Sequence, residues 1–286
     1  MNLKASELPL DAQGNVYHLN LQPEELAHKI ILVGDPERVG FFSQQFGHIE
    51  CRKQNREIVT HTGTYKGKRL SILSTGMGTD NIDIVLNELD ALVNIDLKKR
   101  CLKENHTSLE IVRLGTSGIL QANIPMHTYI AGRFAIGIDS LLHYYQHGKL
   151  APELLVEQFK KDCGWNAQMP EPYAVSADKE LLERVAPDCL QGITLTAPGF
   201  YGPQCRALRL PLSHGDFVEK LQDKTVEGLP YTNLEMETAG IYGMAQLLGH
   251  RAVSISVGIA NRVNGEFSKG YADAMIQLFE NVAEKL

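Results

Sequence analysis

Apolar positions recur along this chain in two rhythms. Ile30 to Val33 form a short unbroken apolar run stopped by Gly34, Asp35 and Pro36, which predicts a buried strand. The stretch from Arg56 to Gly78 predicts two strands around the turn Lys66-Gly67-Lys68, closing on a glycine-rich end. Between 80 and 95 the rhythm changes: Ile82, Val85, Leu86, Leu89 and Val93 lie at helical spacing, with Asp80 placed to start the helix. "LEIVRLGTSGIL" predicts another buried strand, ending in a loop from Gly115 to Gly118. "NLEMETAGIYGMAQLLGH" predicts a helix stopped at Gly249, "RAVSISVGIANR" a further strand, and "GYADAMIQLFENVAEKL" a closing helix. Strands alternating with helices imply an α/β fold with a largely parallel or mixed sheet. Two segments read as additions to this core, near 96–110 and near 142–172, the second with a helix from about Pro152 to Cys163. No repeat or linker divides the chain, so 1–286 is expected to be one domain.

Composition narrows the function classes. A formal net charge of -6 argues against a nucleic-acid partner, so any anion site must be a local cluster of basic side chains. The five cysteines are odd in number, widely spaced and without a CxxC pair, which predicts reduced thiols and neither a disulfide framework nor a metal site. The first residues lack the apolar stretch of a signal peptide, and no apolar run approaches a membrane span. A cytoplasmic location is expected, and the sequon at Asn105 is read as chance.

The chemistry-bearing residues sit where strands end. In an α/β fold that is where ligands bind. Gly34 permits close backbone approach of an anion, and Arg38 follows one short turn later. Arg113 is embedded in an apolar strand, and a buried guanidinium needs an anionic partner. Thr116 beside it adds a hydroxyl, so these groups together could hold phosphate. The plainer alternative pairs Arg113 with a structural carboxylate such as Glu88 and makes Gly34-Asp35-Pro36 only a turn. Glu235 and Glu237 open an apolar helix, where acids complement the helix dipole; equally, one of them could accept two sugar hydroxyls. "FYGPQCR" places Phe200, Gln204 and Arg206 around Gly202-Pro203, either a solvated turn or the parts of a pocket for a flat heterocycle.

Taken in order, "LVGDPERV", "STGMGT", "VRLGTSG" and "NLEMETAGIYGMA" resemble the nucleoside phosphorylase-I family, and within it the uridine phosphorylases, over most of the chain from Val16 to Arg262. The resemblance implies a twisted, partly barrel-like mixed sheet flanked by helices, and reversible cleavage of a nucleoside by direct attack of phosphate on C1′. It implies that Gly34, Arg38, Arg113 and Thr116 bind phosphate, and that Arg56 reaches the phosphate of a neighbouring subunit. His18 would meet the 5′-hydroxyl, again across a dimer interface. Glu235, Met236 and Glu237 would contact the ribose. Ser117, Gly118, Phe200, Gln204, Arg206 and Arg262 would surround the base, with Gln204 on O2 and N3–H and the two arginines toward O4. Arg113, Glu237, Gln204 and Arg206 are the residues expected to carry catalysis. The implied partners are a small-molecule nucleoside, inorganic phosphate as co-substrate, and a second copy of the chain in a homodimer or an oligomer of dimers; no cofactor is implied.

Some positions depart from the family pattern. Gly202-Pro203 replaces a Pro-Gly order, and Ser117 a threonine. Glu57 is present, but Asn81 stands where relatives with a monovalent-cation site carry serine, which leaves that site open. Rival readings are a purine or broad-specificity nucleoside phosphorylase, a nucleosidase, and a non-catalytic nucleoside-binding protein. The purine reading calls for an acid within "IANRVN", where this chain has Asn261 and Arg262 and no carboxylate before Glu266.

Overall fold

The computed structural model describes residues 3–286. The first half runs β1 (Lys29–Val33), α1 (Pro36–Ser43), β2 (His48–Asn55), β3 (Ile58–Tyr65), β4 (Lys68–Ser74), α2 (Thr79–Asn94), β5 (Ile95–Asp96), β6 (Cys101–Leu102), β7 (Glu110–Ile119) and β8 (Tyr129–Gly137). The second runs α3 (Leu154–Cys163), β9 (Tyr173–Ser176), α4 (Lys179–Val185), β10 (Leu190–Thr196), α5 (Phe217–Lys220), β11 (Thr225–Val226), β12 (Leu229–Glu235), α6 (Thr238–Leu248), β13 (Arg251–Asn261), β14 (Glu266–Phe267) and α7 (Ala272–Ala283).

The main sheet has the order β11-β12-β10-β8-β13-β7-β1-β4-β3-β2. Strand β12 also pairs antiparallel with β7, Asn233 against Ile119 and Leu234 against Gly118. Strands β12, β10, β8, β13 and β7 therefore close into a ring, and β1, β4, β3 and β2 continue from β7 as an open arm. The sheet is mixed: β1 runs parallel to β4 and β7, β7 parallel to β13, and β13 antiparallel to β8. This is the partly barrel-like α/β sheet that the resemblance implies.

Alternation along the strands explains why both faces are covered. Ile30 and Leu32 of β1 turn toward α2 and α6, while Ile31 and Val33 turn toward α1 and α7. A third cluster joins Leu155 and Phe159 of α3 to Ile193 and Leu195 of β10. Helix ends follow local chemistry. Asp35 caps α1 by accepting the Glu37 N–H at 2.9 Å, with Pro36 in the first turn. Gly249, at φ 75°, ends α6 in the left-handed conformation as its sequence position predicts.

Several expectations need correction. The segment Gly115–Gly118 is not a loop: it continues β7, because β13 and β12 both pair with it. Residues Asn233 to Glu235 are not helical but end β12, and α6 begins only at Thr238. Pairing to β10 holds those residues extended, and Glu235 then accepts the N–H groups of Glu237 and Thr238, capping α6 from outside. Helix α2 starts at Thr79, one residue before Asp80, and α3 at Leu154. Gly202-Pro203 opens a short 3-10 turn through Gln204. Of the two additions, the first contains the β5–β6 hairpin and the second α3. All five cysteines are free thiols. Among the described residues no helix is long and apolar enough to cross a membrane.

Phe279 shows how the closing helix is held. It is fully buried on α7, stacks on Phe42 of α1 at 4.8 Å between centroids, and meets Tyr65 of β3 edge-on at 5.3 Å. Phe279→Ala should lower unfolding stability by about 3–5 kcal/mol, measured by urea titration. A loss under about 1 kcal/mol would mean that this ring does not dock α7.

Candidate active site

A cleft of about 650 Å³ opens where β1, β4, β7, β12 and β13 end. Sequence-predicted residues Gly34, Arg38, Arg113, Thr116, Ser117, Gly118, Phe200, Gln204, Arg206, Glu235, Met236 and Glu237 all line it. Loops after parallel strands converge at one rim, so residues far apart in sequence meet there.

At its floor lies a buried charge cluster. Arg113 comes from the interior of β7 and is 5% exposed. Its Nη2 donates to Glu237 Oε2 at 2.5 Å and lies 3.2 Å from Glu235 Oε2. Its Nη1 lies 3.5 Å from Ser254 Oγ and 3.3 Å from Ser256 Oγ, both on β13. A Cβ at Gly115 would overlap this guanidinium, so glycine is required there for the side chain to fold back along its strand. The partner suggested by sequence, Glu88, is elsewhere: it accepts the backbone N–H of His18 and Leu19, and lies 2.6 Å from His18 Nδ1. Glu237 Oε1 accepts the Gly78 N–H at 2.8 Å, and Glu235 Oε1 accepts the Thr196 hydroxyl at 2.7 Å.

The electrostatics follow from burial. Burial pushes the Glu237 carboxyl above the usual range; Arg113 opposes this and the Glu235 charge adds to it. For Arg113, burial alone would favour losing the proton, but the two carboxylates outweigh it and hold the guanidinium firmly charged. Two carboxylates around one guanidinium leave this floor with an excess of negative character.

Toward one end of the cleft, Arg38 from α1 stands beside Gly34, half-buried, with Tyr271 OH 3.4 Å from its Nη2. At the other end is the loop "FYGPQCR". Gln204 is buried, and its side-chain oxygen accepts from Arg206 Nη1 at 2.5 Å. Arg206 also donates to the Phe200 carbonyl at 2.7 Å, and its guanidinium lies 3.9 Å from the Phe200 ring centroid. Burial and then the nearby Arg262 bring the Arg206 pKa down to about 10. Arg262 does not line the cleft directly; it packs behind Gly118 and donates to the Gln204 carbonyl at 3.0 Å.

His18 and Arg56 also lie off the cleft wall. They are nonetheless neighbours. Arg56 is exposed at the β2–β3 turn with φ 54°, and Asn55 beside it donates to the carbonyls of Tyr17 and His18. Glu57 and Asn81 do line the cleft, with the Asn81 amide 3.4 Å from the Glu57 carboxylate.

Sequence reasoning missed Met77, Phe267 and Ile259 on the walls, Tyr271 beside Arg38, and Asn233 beneath Ser117. Only Asn233 left a signal, as an amide two residues before the chemistry-bearing Glu235. A metal was not expected. Among the described residues one group has a ligand-like arrangement, Asp90, His106 and His250, away from the cleft. There His250 Nδ1 accepts the Leu109 N–H at 3.2 Å, and its Nε2 lies 3.3 Å from Asp90 Oδ1 without a hydrogen bond to it.

The chain is similar over most of its length to known proteins. The family model described as the phosphorylase superfamily matches residues 28–286. A uridine phosphorylase of Thermococcus kodakarensis is 28% identical over 268 residues, covering 93% of this chain and 84% of the relative. A DeoD-type purine nucleoside phosphorylase of Alkaliphilus metalliredigens is 28% identical over 241 residues, covering 83% of this chain and 84% of the relative. The crystal structure of a Trypanosoma brucei nucleoside phosphorylase, described as showing uridine phosphorylase activity, superposes with a TM-score of 0.86 at 29% identity, covering 97% of this chain and 99% of that one.

The charge cluster has a measurable consequence. Because the folded-state pKa of Glu237 is raised, the folded protein holds this proton more tightly than the unfolded chain does. The contribution is therefore present at low pH and is lost as pH rises through the raised value. Glu237→Gln removes it. The stability of the Gln variant relative to the parent should rise as the pH is raised above about 4, measured by urea unfolding at each pH. A pH-independent difference would show that Glu237 does not titrate differently on folding.

Proposed function

We propose that this chain, which belongs to the phosphorylase superfamily, is a uridine phosphorylase that cleaves uridine reversibly to uracil and ribose 1-phosphate. The observation that carries the reading is the pairing of two unlike ends in one cleft. One end holds Gly34 and Arg38, and Thr116 and the floor's Arg113 line the same cleft, a set suited to a phosphate dianion. The other gathers Phe200, Gln204 and Arg206, backed by Arg262, suited to a pyrimidine with two carbonyls.

On this reading no protein nucleophile is needed. Phosphate attacks C1′ as the bond to the base breaks, so positive charge develops on the sugar and negative charge on the base. The acidic excess around Glu235 and Glu237 favours the sugar cation, and Glu237 also orders the ribose hydroxyls. Arg38, Arg113 and Thr116 hold the attacking dianion, combining positioning with charge stabilisation. Gln204 and Arg206 donate to the departing uracil as an oxyanion hole would; losing one such donor costs about 10²–10³-fold in other enzymes. Inorganic phosphate is the co-substrate, and no cofactor enters. A hydrolase would use water and would gain nothing from the basic end.

The purine alternative has less support. Its acid would come from the end of β13, but Asn261 there is buried and its amide is spent on the carbonyls of Gln121 and Ile124. Glu266 is exposed and does not line the cleft, although its neighbour Phe267 does. We therefore expect uridine to be cleaved only with phosphate, cytidine to be nearly inert, and inosine to be poor. Gln204→Ala should lower kcat/KM for uridine by about 10²-fold or more while leaving the phosphate KM largely intact. The assay is release of free base from uridine, cytidine and inosine with and without phosphate. Equal cleavage of uridine without phosphate would assign a hydrolase, and a higher kcat/KM for inosine would assign the purine branch.

We propose that His18 and Arg56 serve a site on a second copy: neither lines the cleft of its own chain, and Asn55, next to Arg56, donates to the carbonyls of Tyr17 and His18, which keeps the two on one surface. Mixing an inactive His18→Ala/Arg56→Ala protein with an inactive Glu237→Ala protein should restore part of the activity, because some mixed dimers would carry one intact site. Absence of recovery after demonstrated subunit exchange would exclude sharing.

A further inference from the structure

Below the base end of the cleft runs a chain of buried polar side chains that the proposed reaction leaves unused. Asn233 sits on β12 at the point where that strand closes the ring, between Thr194 of β10 and β7, and is 1% exposed. Its side-chain oxygen accepts the Thr194 hydroxyl at 2.8 Å and lies 3.0 Å from the Thr232 hydroxyl. Its amide nitrogen donates to Ser117 Oγ at 2.9 Å. Ser117 is 5% exposed and lines the cleft next to Gly118 and Gln204.

The direction of this chain follows from counting protons. Thr194 is 1% exposed, and among the described residues its hydroxyl has only Asn233 as a partner. A buried hydroxyl hydrogen left unpaired is costly, so Thr194 must donate, and the Asn233 oxygen must face it. The other end of the amide then carries only N–H groups. Ser117 Oγ accepts one of them, and its own hydrogen cannot point back toward a donor. The open side is the cleft.

We infer that Asn233 is a positioning residue that makes the Ser117 hydroxyl a fixed donor aimed into the base end of the cleft, so that the site demands an acceptor there. The matching ligand chemistry is a ring carbonyl oxygen or an unprotonated ring nitrogen of the base. An amino group at that point would meet donor against donor. The inference rests on the nucleoside reading above and adds to it a specificity element outside the loop "FYGPQCR".

The test is a double-mutant cycle on kcat/KM for uridine with saturating phosphate. Ser117→Ala should lower kcat/KM by about ten- to a hundredfold, and Ser117→Thr, which keeps a hydroxyl, should retain most of the activity. Asn233→Asp offers only acceptors when ionised and should draw the Ser117 hydrogen away from the cleft, with a loss of similar size. In the Ser117→Ala background the same Asn233→Asp change should cost less than about twofold, because the hydroxyl it acts through is gone. The phosphate KM should stay within about twofold throughout. A thermal melt checks each variant, and where Asn233→Asp does not fold, Thr194→Val takes its place in the cycle. Full activity of Ser117→Ala, or an equal cost of the second change in both backgrounds, overturns the relay while the functional reading stands. A parent protein that cleaves inosine instead of uridine moves the cycle to inosine. One that cleaves neither overturns the functional reading and the relay with it.

Discussion

A guanidinium removed from water inside a strand is the constraint on which the cleft depends. Arg113 could not be buried alone; an isolated charge in the interior costs far more than a domain can offset. The fold answers with two carboxylates from a different strand end, Glu235 and Glu237, and two hydroxyls from β13. Each carboxylate is held in turn, Glu237 by the Gly78 N–H and Glu235 by Thr196 and the first N–H groups of α6. Removing the guanidinium from such a cluster leaves buried carboxylates uncompensated, typically at about 3–5 kcal/mol. β7, β12, β13 and the turn before α2 are therefore locked to one another at the cleft floor by electrostatics rather than by apolar packing.

Closure of the ring makes this possible. Because β12 pairs with both β10 and β7, its last residue is brought beneath the end of β7, and Glu235 meets Arg113. An open sheet with β12 at its edge would leave these residues on opposite margins. The same closure buries Asn233 and sets it against Ser117. Topology, more than any single motif, puts acidic and basic groups into one cleft.

Much of this was legible in the linear chain, for reasons that differ by element. β1, α2, β13 and α7 were readable because burial on two faces or on one stripe writes itself into apolar spacing. The stop at Gly249 was readable because only glycine adopts its φ of 75° without strain. The residues on the cleft wall were readable because strand-end polar groups are few. The ends of β7 and β12 were not, since a glycine-rich or acidic stretch looks like a loop or a helix start until its pairing strands are known. The partner of Arg113 was also hidden: Glu88 and Glu237 are equally plausible in one dimension, and only the fold shows Glu88 bound to the His18 backbone. Phe267, on the two-residue β14 at the cleft, and Tyr271, beside Arg38 at the start of α7, follow β13 in chain too short for any periodicity to guide a reading.

The end of the cleft formed by "FYGPQCR" is organised differently from the floor, and under the proposed function the difference bears on selectivity. Its polar groups satisfy one another: Arg206 bonds the Gln204 oxygen and the Phe200 carbonyl, covers the Phe200 ring, and Arg262 bonds the Gln204 backbone. The same pairing sets a threshold, since a base that takes over the Gln204 oxygen must replace what Arg206 supplies. A ring N–H beside a carbonyl does so, giving a donor to Gln204 and an acceptor to Arg206. A ring with an amino group in place of that carbonyl leaves Arg206 facing a donor, and the lowered pKa of about 10 is far too high for the guanidinium to escape by losing its proton. Discrimination of this kind comes from the unmade bond rather than from shape.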